Sequence, residues 1–338
     1  MYRVAIIGYR HQGKLHHAPA FAKHPDCRIV AVCDLVEERA REGAARYGVP
    51  AYQDADEMLA REEIDIVDIP VGEQYRSPLV MKALGLGKHV FTEKPLAGAQ
   101  GQMRIRLSDV PTARAMVDEW RKHDKGFGIC FCMHSGSNVR WAKRVIASGE
   151  FGATCLVHAH CAWGSWNHII DLFRFLGGEV AEVFAYHDGS EQWCDRAVAV
   201  RFESGAVGTL MTSARLTLQY ELKWVGERGE MLISDIGGTA WARSHDRYEY
   251  RMLNEQGSTT RSTYDRMFDE HIADFVDCIT TGRPFDADGW AGLRHMEIDA
   301  AISESLLAGA RVRVERYLPE MGRTVFSDDR GHKGCHSA

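Results

Sequence analysis

The chain has 338 residues, 45% of them hydrophobic, and a formal net charge of −6. That length carries two domains with substantial cores, and the acidic balance, with Lys and Arg dispersed and never in runs, excludes a nucleic-acid-binding face. The longest apolar stretches are strand-sized, well short of the ~20 residues of a membrane span, and the N-terminus enters a strand at once without a signal peptide, so a cytoplasmic protein is expected.

In chain order, Val4-Ala5-Ile6-Ile7 is an apolar, β-rich run without polar alternation. It predicts a central parallel strand over 3 to 7, buried on both faces. Gly8 ends it, and Gly8-Tyr9-Arg10-His11-Gln12-Gly13 leads into a predicted helix over 13 to 24. The free N–H groups and positive end of such a helix would hold a pyrophosphate. The next apolar run, Arg28 to Cys33, ends on Asp34, 21 residues after Gly13. This is near the spacing of the carboxylate that accepts hydrogen bonds from an adenosine ribose.

Asp34 disfavours a 2′-phosphate, so NAD is expected. Arg10 stands where G-x-G-x-x-G has its middle glycine. Its guanidinium could replace the lost backbone contact or reach a 2′-phosphate, which leaves NADP open. Gly8, Arg10, His11, Gln12, Gly13 and Asp34 are the candidate dinucleotide contacts in this part of the chain.

A helix over 36 to 47 and strands over 65 to 70 and 88 to 92 continue the alternation. Strands alternating with helices imply right-handed crossovers and a doubly wound parallel sheet, here a Rossmann domain over 1–125 ending after a helix at 113 to 122. From Phe127 the pattern changes: a helix over 138 to 147, then strands over 154 to 160, 180 to 187, 196 to 203, 206 to 215, 220 to 226 and 248 to 253. Consecutive strands without helices between them predict an open, mainly antiparallel sheet, covered by helices over 266 to 280 and 290 to 308. This α/β domain, 126–322, is expected to bind substrate. Its spare sheet face suits a homodimer or homotetramer. Residues 323–338 read as a flexible tail. Nine scattered cysteines without a CxxC fit reduced thiols.

Two constellations carry chemistry. Glu93-Lys94-Pro95 follows a strand at the carboxyl edge of the parallel sheet, where open α/β folds place their ligands. Lys94 there can touch both the nicotinamide ribose and a substrate hydroxyl, and Glu93 and Lys94 complete the cofactor contacts. In the second domain, Trp166 to Leu176 reads as an amphipathic helix with Ile169, Leu172, Phe173 and Leu176 on one stripe. His168 and Asp171 share a face at i and i+3, so Asp171 is expected to orient the imidazole and raise its basicity toward that of a general base. His158, His160 and Cys161 with His168 invite a zinc reading, but their spacing matches no closed four-ligand pattern. No metal is expected.

These segments together resemble the Gfo/Idh/MocA oxidoreductases, which include glucose–fructose oxidoreductase and inositol dehydrogenases. The resemblance runs to about residue 322, through VAIIGYRHQG, GKHVFTEKPLA, the His168-x-x-Asp171 pair and the closing FVDCITTGRPFDADGWAGLRHMEIDAAISES. It implies NAD or NADP redox at a secondary carbinol of a sugar or polyol, with Lys94 as catalytic lysine and His168 as proton-transfer histidine. The chain departs from the family pattern in three places. Val71 and Tyr75-Arg76 stand near the usual Asn and His, Gly164 and Trp166 replace the Asp and Gly before His168, and Cys132-Met133-His134 stand where arginines are frequent.

A pocket short of arginine suits a neutral carbohydrate, polyol or glycoside, with His134, His158, Trp163 and Trp166 as the expected lining. Two rival readings keep the fold. One is glycoside processing by an internal redox cycle on tightly held NAD, and the other is a non-catalytic dinucleotide-binding regulator.

Overall fold

The computed structural model describes residues 1–190, 194–236, 239–244, 248–252 and 260–317. The expected tail at 323–338 lies outside them. The first half is built from β1 (Tyr2–Ile7), a π-helical turn (Gly13–His17) running into α1 (Ala18–Lys23), β2 (Cys27–Cys33), α2 (Glu37–Tyr47), β3 (Ala51–Tyr52), α3 (Ala55–Arg61), β4 (Ile66–Ile69), α4 (Glu73–Gly85), β5 (His89–Thr92), α5 (Val110–Trp120) and β6 (Phe127–Ile129). Its six strands pair in parallel in the order β3-β2-β1-β4-β5-β6. Val4, Ala5, Ile6, Ile66, Val67 and Val90 are fully buried, as strands covered on both faces require. The order reverses between β1 and β4, and a ligand crevice forms at such a switch point.

The second half continues with α6 (Ser137–Ala147), β7 (Thr154–Ala162), α7 (Trp166–Gly177), β8 (Val180–His187), β9 (Arg196–Phe202), β10 (Val207–Ser213), β11 (Tyr220–Gly226), β12 (Gly229–Ser234), β13 (Thr239–Ser244), β14 (Tyr248–Met252), α8 (Thr260–Thr281), α9 (Gly289–Ala308) and β15 (Val312–Arg313). Nine strands form one sheet in the order β14-β13-β12-β11-β7-β10-β9-β8-β15. Every pairing is antiparallel except that of β10 with β7. The expected fold class is therefore the observed one, α/β with a doubly wound parallel sheet followed by an open, mainly antiparallel sheet. Strands β12 and β13 fill the stretch that the sequence reading passed over between 226 and 248.

Alternation sets the two faces of the large sheet. In β7, Val157, Ala159 and Cys161 are buried under α7, whereas His158 and His160 point the other way. That other face carries exposed Leu156, Tyr186, Val207 and Met211. Helix α9 is buried along most of its length and packs on α5, α7, β6 and β8. It thus bridges the two sheets and fixes α7 relative to the carboxyl edge of β5. Among the described residues, no helix is long and apolar enough to cross a membrane.

Candidate active site

The crevice at the β1/β4 switch point is shaped for a dinucleotide. Gly8 leaves β1 with φ of +104°, a backbone conformation that L side chains rarely adopt. A Cβ on Gly13 would stand 2.1 Å from the Gly8 carbonyl oxygen and 3.0 Å from Pro70 Cγ, so the first turn of the helix lies directly against the strand end. Asp34, at the end of β2, is 8% exposed. Its carboxylate accepts the Tyr9 N–H at 2.8 Å and the Val36 N–H at 2.9 Å, which ties the glycine turn to the end of β2. Arg10 and His11 are exposed and Gln12 half-buried at the mouth. The close approach at Gly8 and Gly13 and the acid at the end of β2 together fit NAD.

The helix that follows opens with a π-turn, a wider winding that often marks functional positions. The turn places His17 wholly inside the domain, with Nδ1 donating to Asp68 at 2.8 Å and Nε2 donating to Glu93 at 3.2 Å. Burial alone would depress this imidazolium, but the two carboxylates override it and hold its pKa up at about 10. Burial opposes ionisation of Glu93 in turn, and the His17 bond and the Lys94 charge outweigh it, bringing its pKa down to about 2.

Glu93 Oε2 accepts the Lys94 backbone N–H at 3.2 Å, so Glu93 faces inward as the support of the Lys94 turn. Buried Arg76 clamps the same turn from the other side, donating to the Pro95 and Val71 carbonyls. The Lys94–Pro95 peptide is cis. His17, Glu93 and Cys130 bring one ligand atom each to within 4.8 Å of one another, but the two carboxylates already engage both nitrogens of His17.

Lys94 itself is half-buried, and its Nζ donates to Gln102 Oε1 at 3.3 Å. His168, in the first turn of α7, is 4% exposed. Its Nδ1 is enclosed and bonds to nothing among the described residues, which leaves Nε2 as the nitrogen on the open side. Burial, reinforced by the Lys94 charge, takes its pKa down to about 3. The expectation that Asp171 orients His168 is corrected here, whereas its charge does raise the basicity of the imidazole. Asp171 is fully buried, hydrogen-bonded to His134 Nε2, and 3.4 Å from Arg174. Burial would raise its pKa, but the His134 contact and the Arg174 charge bring it down to about 2. At His168 the Asp171 charge is outweighed by burial and the Lys94 charge.

Three of the four expected lining residues lie elsewhere. His134 is 7% exposed, stacked at 4.1 Å on Phe175 and bonded to Asp171, so it supports the floor of the site. Trp166 is 0% exposed, and its Nε1 donates to Asp299 at 2.9 Å. The α7 N-terminus drives the indole inward to meet α9. His158 sits on the open sheet face with its Nδ1 2.6 Å from Thr209 Oγ1, on the side opposite α7, because strand alternation carries it there.

Trp163 does line a cavity of about 350 Å³, together with Glu73 and residues 100–104. The sequence reading missed His17, Asp68, Arg76, Gln102, Asn167 and Arg196. The pair His16-His17 beside the glycine turn was the only local signal, and the rest are brought in by tertiary contacts.

With this geometry in hand, comparison with known proteins places the chain. Residues 2–125 match the "Oxidoreductase family, NAD-binding Rossmann fold", and residues 143–314 match the "Oxidoreductase family, C-terminal alpha/beta domain". A myo-inositol 2-dehydrogenase of Thermotoga maritima is 25% identical over 353 residues, covering 94% of this chain and 99% of that protein. Among solved structures, an oxidoreductase from Agrobacterium radiobacter in complex with NAD+, L-tartaric acid and magnesium superposes with a TM-score of 0.82 at 18% identity, over 93% of this chain and 98% of that one. A levoglucosan dehydrogenase in complex with NADH and levoglucosan superposes at 0.79 and 20%, over 93% and 100%. These two likenesses are of fold.

Proposed function

Because the chain belongs to the Gfo/Idh/MocA oxidoreductase family, joining an NAD-binding Rossmann domain to a C-terminal α/β domain, we propose that it interconverts a secondary hydroxyl and a ketone on a neutral sugar, polyol or glycoside. The observation that carries this reading is the buried, uncharged His168 beside Lys94 at the carboxyl edge of the parallel sheet. NAD supplies the hydride acceptor when bound, held by Gly8, Gly13 and Asp34 with Arg10, His11 and Gln12 at the mouth.

His168 Nε2 takes the proton of the reacting carbinol. The Lys94 ammonium faces the oxygen as negative charge develops on it and stabilises it before the carbonyl forms. A pKa of about 3 makes the neutral imidazole a weak base, so proton removal leans on the Lys94 charge stabilising the developing oxyanion, and His168 then gives the proton to solvent. Glu93, His17 and Arg76 keep the Lys94 turn in place while this occurs, and such positioning is itself worth much of a barrier. Asp171, with His134 and Arg174, anchors α7 under His168.

The two domains divide at 125/126, the first holding the nucleotide and the second the substrate. Eight thiols without a disulfide among the described residues agree with a cytoplasmic enzyme. The exposed apolar side chains on the open sheet face agree with a homodimer or homotetramer assembled there.

The experiment is anaerobic absorbance at 340 nm with NAD against inositols, neutral sugars and glycosides, for the wild type and for Lys94→Ala and His168→Ala. Steady NADH formation that each variant reduces by about 10²-fold or more, in the range expected of general acid–base groups, is the expected result. Near wild-type rates in both variants, or no NADH with any compound, overturns the reading.

A further inference from the structure

Residues 100–104 cross the entrance of the site between β5 and α5, and the second domain holds them at two successive carbonyls. Asn167 Nδ2 donates to the Gln102 carbonyl at 3.1 Å, and Arg196 donates to the Met103 carbonyl at 2.7 Å. Arg196 is 3% exposed. Its guanidinium lies 4.7 Å from the Trp163 ring and 5.0 Å from the Trp166 ring, and 3.9 Å from Asp299. Burying a guanidinium costs several kcal/mol before its partners repay it, and a mere connection between β5 and α5 requires no such anchor.

The anchoring gives the segment one defined consequence. The Gln102 side chain is presented to Lys94, with Oε1 3.3 Å from Nζ, while the Arg196 stack fixes the Trp163 ring as a wall of the same cavity. At about 350 Å³ this cavity is at the low end of the ~300–1,000 Å³ of small-molecule sites, which is room for a single ring.

We propose that this cavity is the ring subsite of the substrate and that Gln102 is its specificity-determining residue. In this assignment the Gln102 amide takes the hydroxyl next to the reacting carbon, which frees Lys94 Nζ for the reacting oxygen, and Trp163 covers the C–H face of the ring. The proposal rests on the dehydrogenase reading and names its substrate class: a cyclic compound with a vicinal diol, such as a cyclitol or pyranose, in a cavity whose wall also carries Glu73 and Arg104. A carboxamide suits that group because it offers an acceptor and two donors in one plane, so it can accept from one hydroxyl while donating to its neighbour. A site built to hydrogen-bond a hydroxyl rejects the analogue that lacks it far more strongly than an apolar pocket rejects a size mismatch.

The test compares kcat/KM on the best substrate of the panel with kcat/KM on its monodeoxy analogues lacking one or other hydroxyl beside the reacting carbon. Wild type is expected to lose on the order of 10⁴-fold on one analogue. Gln102→Leu should lose a similar factor on the parent compound, no longer distinguish the two, and keep its NADH affinity within about twofold. Gln102→Asn, which keeps the amide but withdraws it, should show the same loss of discrimination if the leucine variant does not fold. Wild-type discrimination retained in either folded variant overturns the proposal.

If the wild type reduces NAD with no compound, it is the dehydrogenase reading that has failed, and binding decides the subsite. Calorimetric titration of the NADH-loaded protein with myo-inositol and with methyl glucoside is then the measurement. Binding that Gln102→Leu and Trp163→Ala both weaken at least tenfold supports the subsite, and no binding, or binding indifferent to both, overturns it.

Discussion

The Asp171 carboxylate is hydrogen-bonded to His134, 37 residues away in sequence, and not to His168, three residues before it on the same helix. This relationship leaves the proposed base without an orienting carboxylate. The charges of Glu93 and Asp171 favour the protonated imidazole, but burial and then the Lys94 charge outweigh them and the His168 pKa falls to about 3. An ordinary histidine base would lose activity as pH falls through about 6.5. Here kcat/KM for alcohol oxidation is expected to show no such limb between pH 8 and pH 5, provided the protein stays folded. A limb centred near 6.5 that disappears in a folded His168 variant would show that the imidazole is not held neutral.

A second expectation concerns His17. Its pKa is raised to about 10 against an ordinary 6.5, so the stability it contributes is complete below pH 6.5 and is lost as pH rises from there through 10. Burial takes His168 down to about 3, and His271 and His295 down to about 4. Their contribution is complete above 6.5 and is lost as pH falls toward those values. Denaturant midpoints are therefore expected to peak near pH 6.5 and to decline on both sides. His17→Leu strands Asp68 and Glu93 in the interior, an arrangement that typically costs ~3–5 kcal/mol, and the stability gap between wild type and this variant should shrink as pH rises from about 8 to 10. A gap that does not shrink over that range in a folded His17→Leu protein counts against the assignment.

The parallel sheet was legible in the sequence because a strand buried on both faces is largely an apolar run, and β1, β2 and β5 hold such runs, while β4 interrupts its own with the buried Asp68. The glycine turn and Lys94 were legible because backbone geometry leaves a local mark: a residue without a Cβ, and a proline after the lysine. The lining of the pocket was not. Whether Trp163 or Trp166 faces the cavity depends on the 3-10 turn at Trp163–Ser165 and on Asp299, 133 residues away. His158 lay in a strand read correctly, but nothing in the strand itself says which sheet face the helices will cover.

The dinucleotide cradle yields a direct test of close approach. Gly13→Ala places a methyl group 2.1 Å from a backbone oxygen, a contact only a backbone shift can relieve, so NADH affinity measured by fluorescence titration should fall at least a hundredfold or the protein should fail to fold. Asp34→Ala removes no steric constraint but frees the Tyr9 and Val36 N–H groups and the ribose partner. NADH affinity is expected to fall about 10- to 100-fold, with preference over NADPH narrowed. Unchanged affinity in Asp34→Ala would remove Asp34 from the cofactor site.

The Arg196 guanidinium lies 4.7 Å from the Trp163 ring and 5.0 Å from the Trp166 ring, yet the structure gives the two indoles opposite duties, and paired phenylalanine substitutions separate them. Trp166→Phe keeps an apolar ring but withdraws the Nε1–H that Asp299 accepts at 2.9 Å, inside a site where neither residue meets solvent. An acceptor that loses its buried donor costs about 1–3 kcal/mol. The loss should register as a lowered denaturant midpoint, with KM for the carbohydrate changed by no more than about threefold. Trp163→Phe shortens a wall of the cavity and withdraws no side-chain hydrogen bond among the described residues, so it should leave the midpoint within about 0.5 kcal/mol and raise KM severalfold. The reverse pattern, stability lost at Trp163 and KM lost at Trp166, would mean that the α7 N-terminus turns its indole toward the substrate and that the corrected assignment is itself in error.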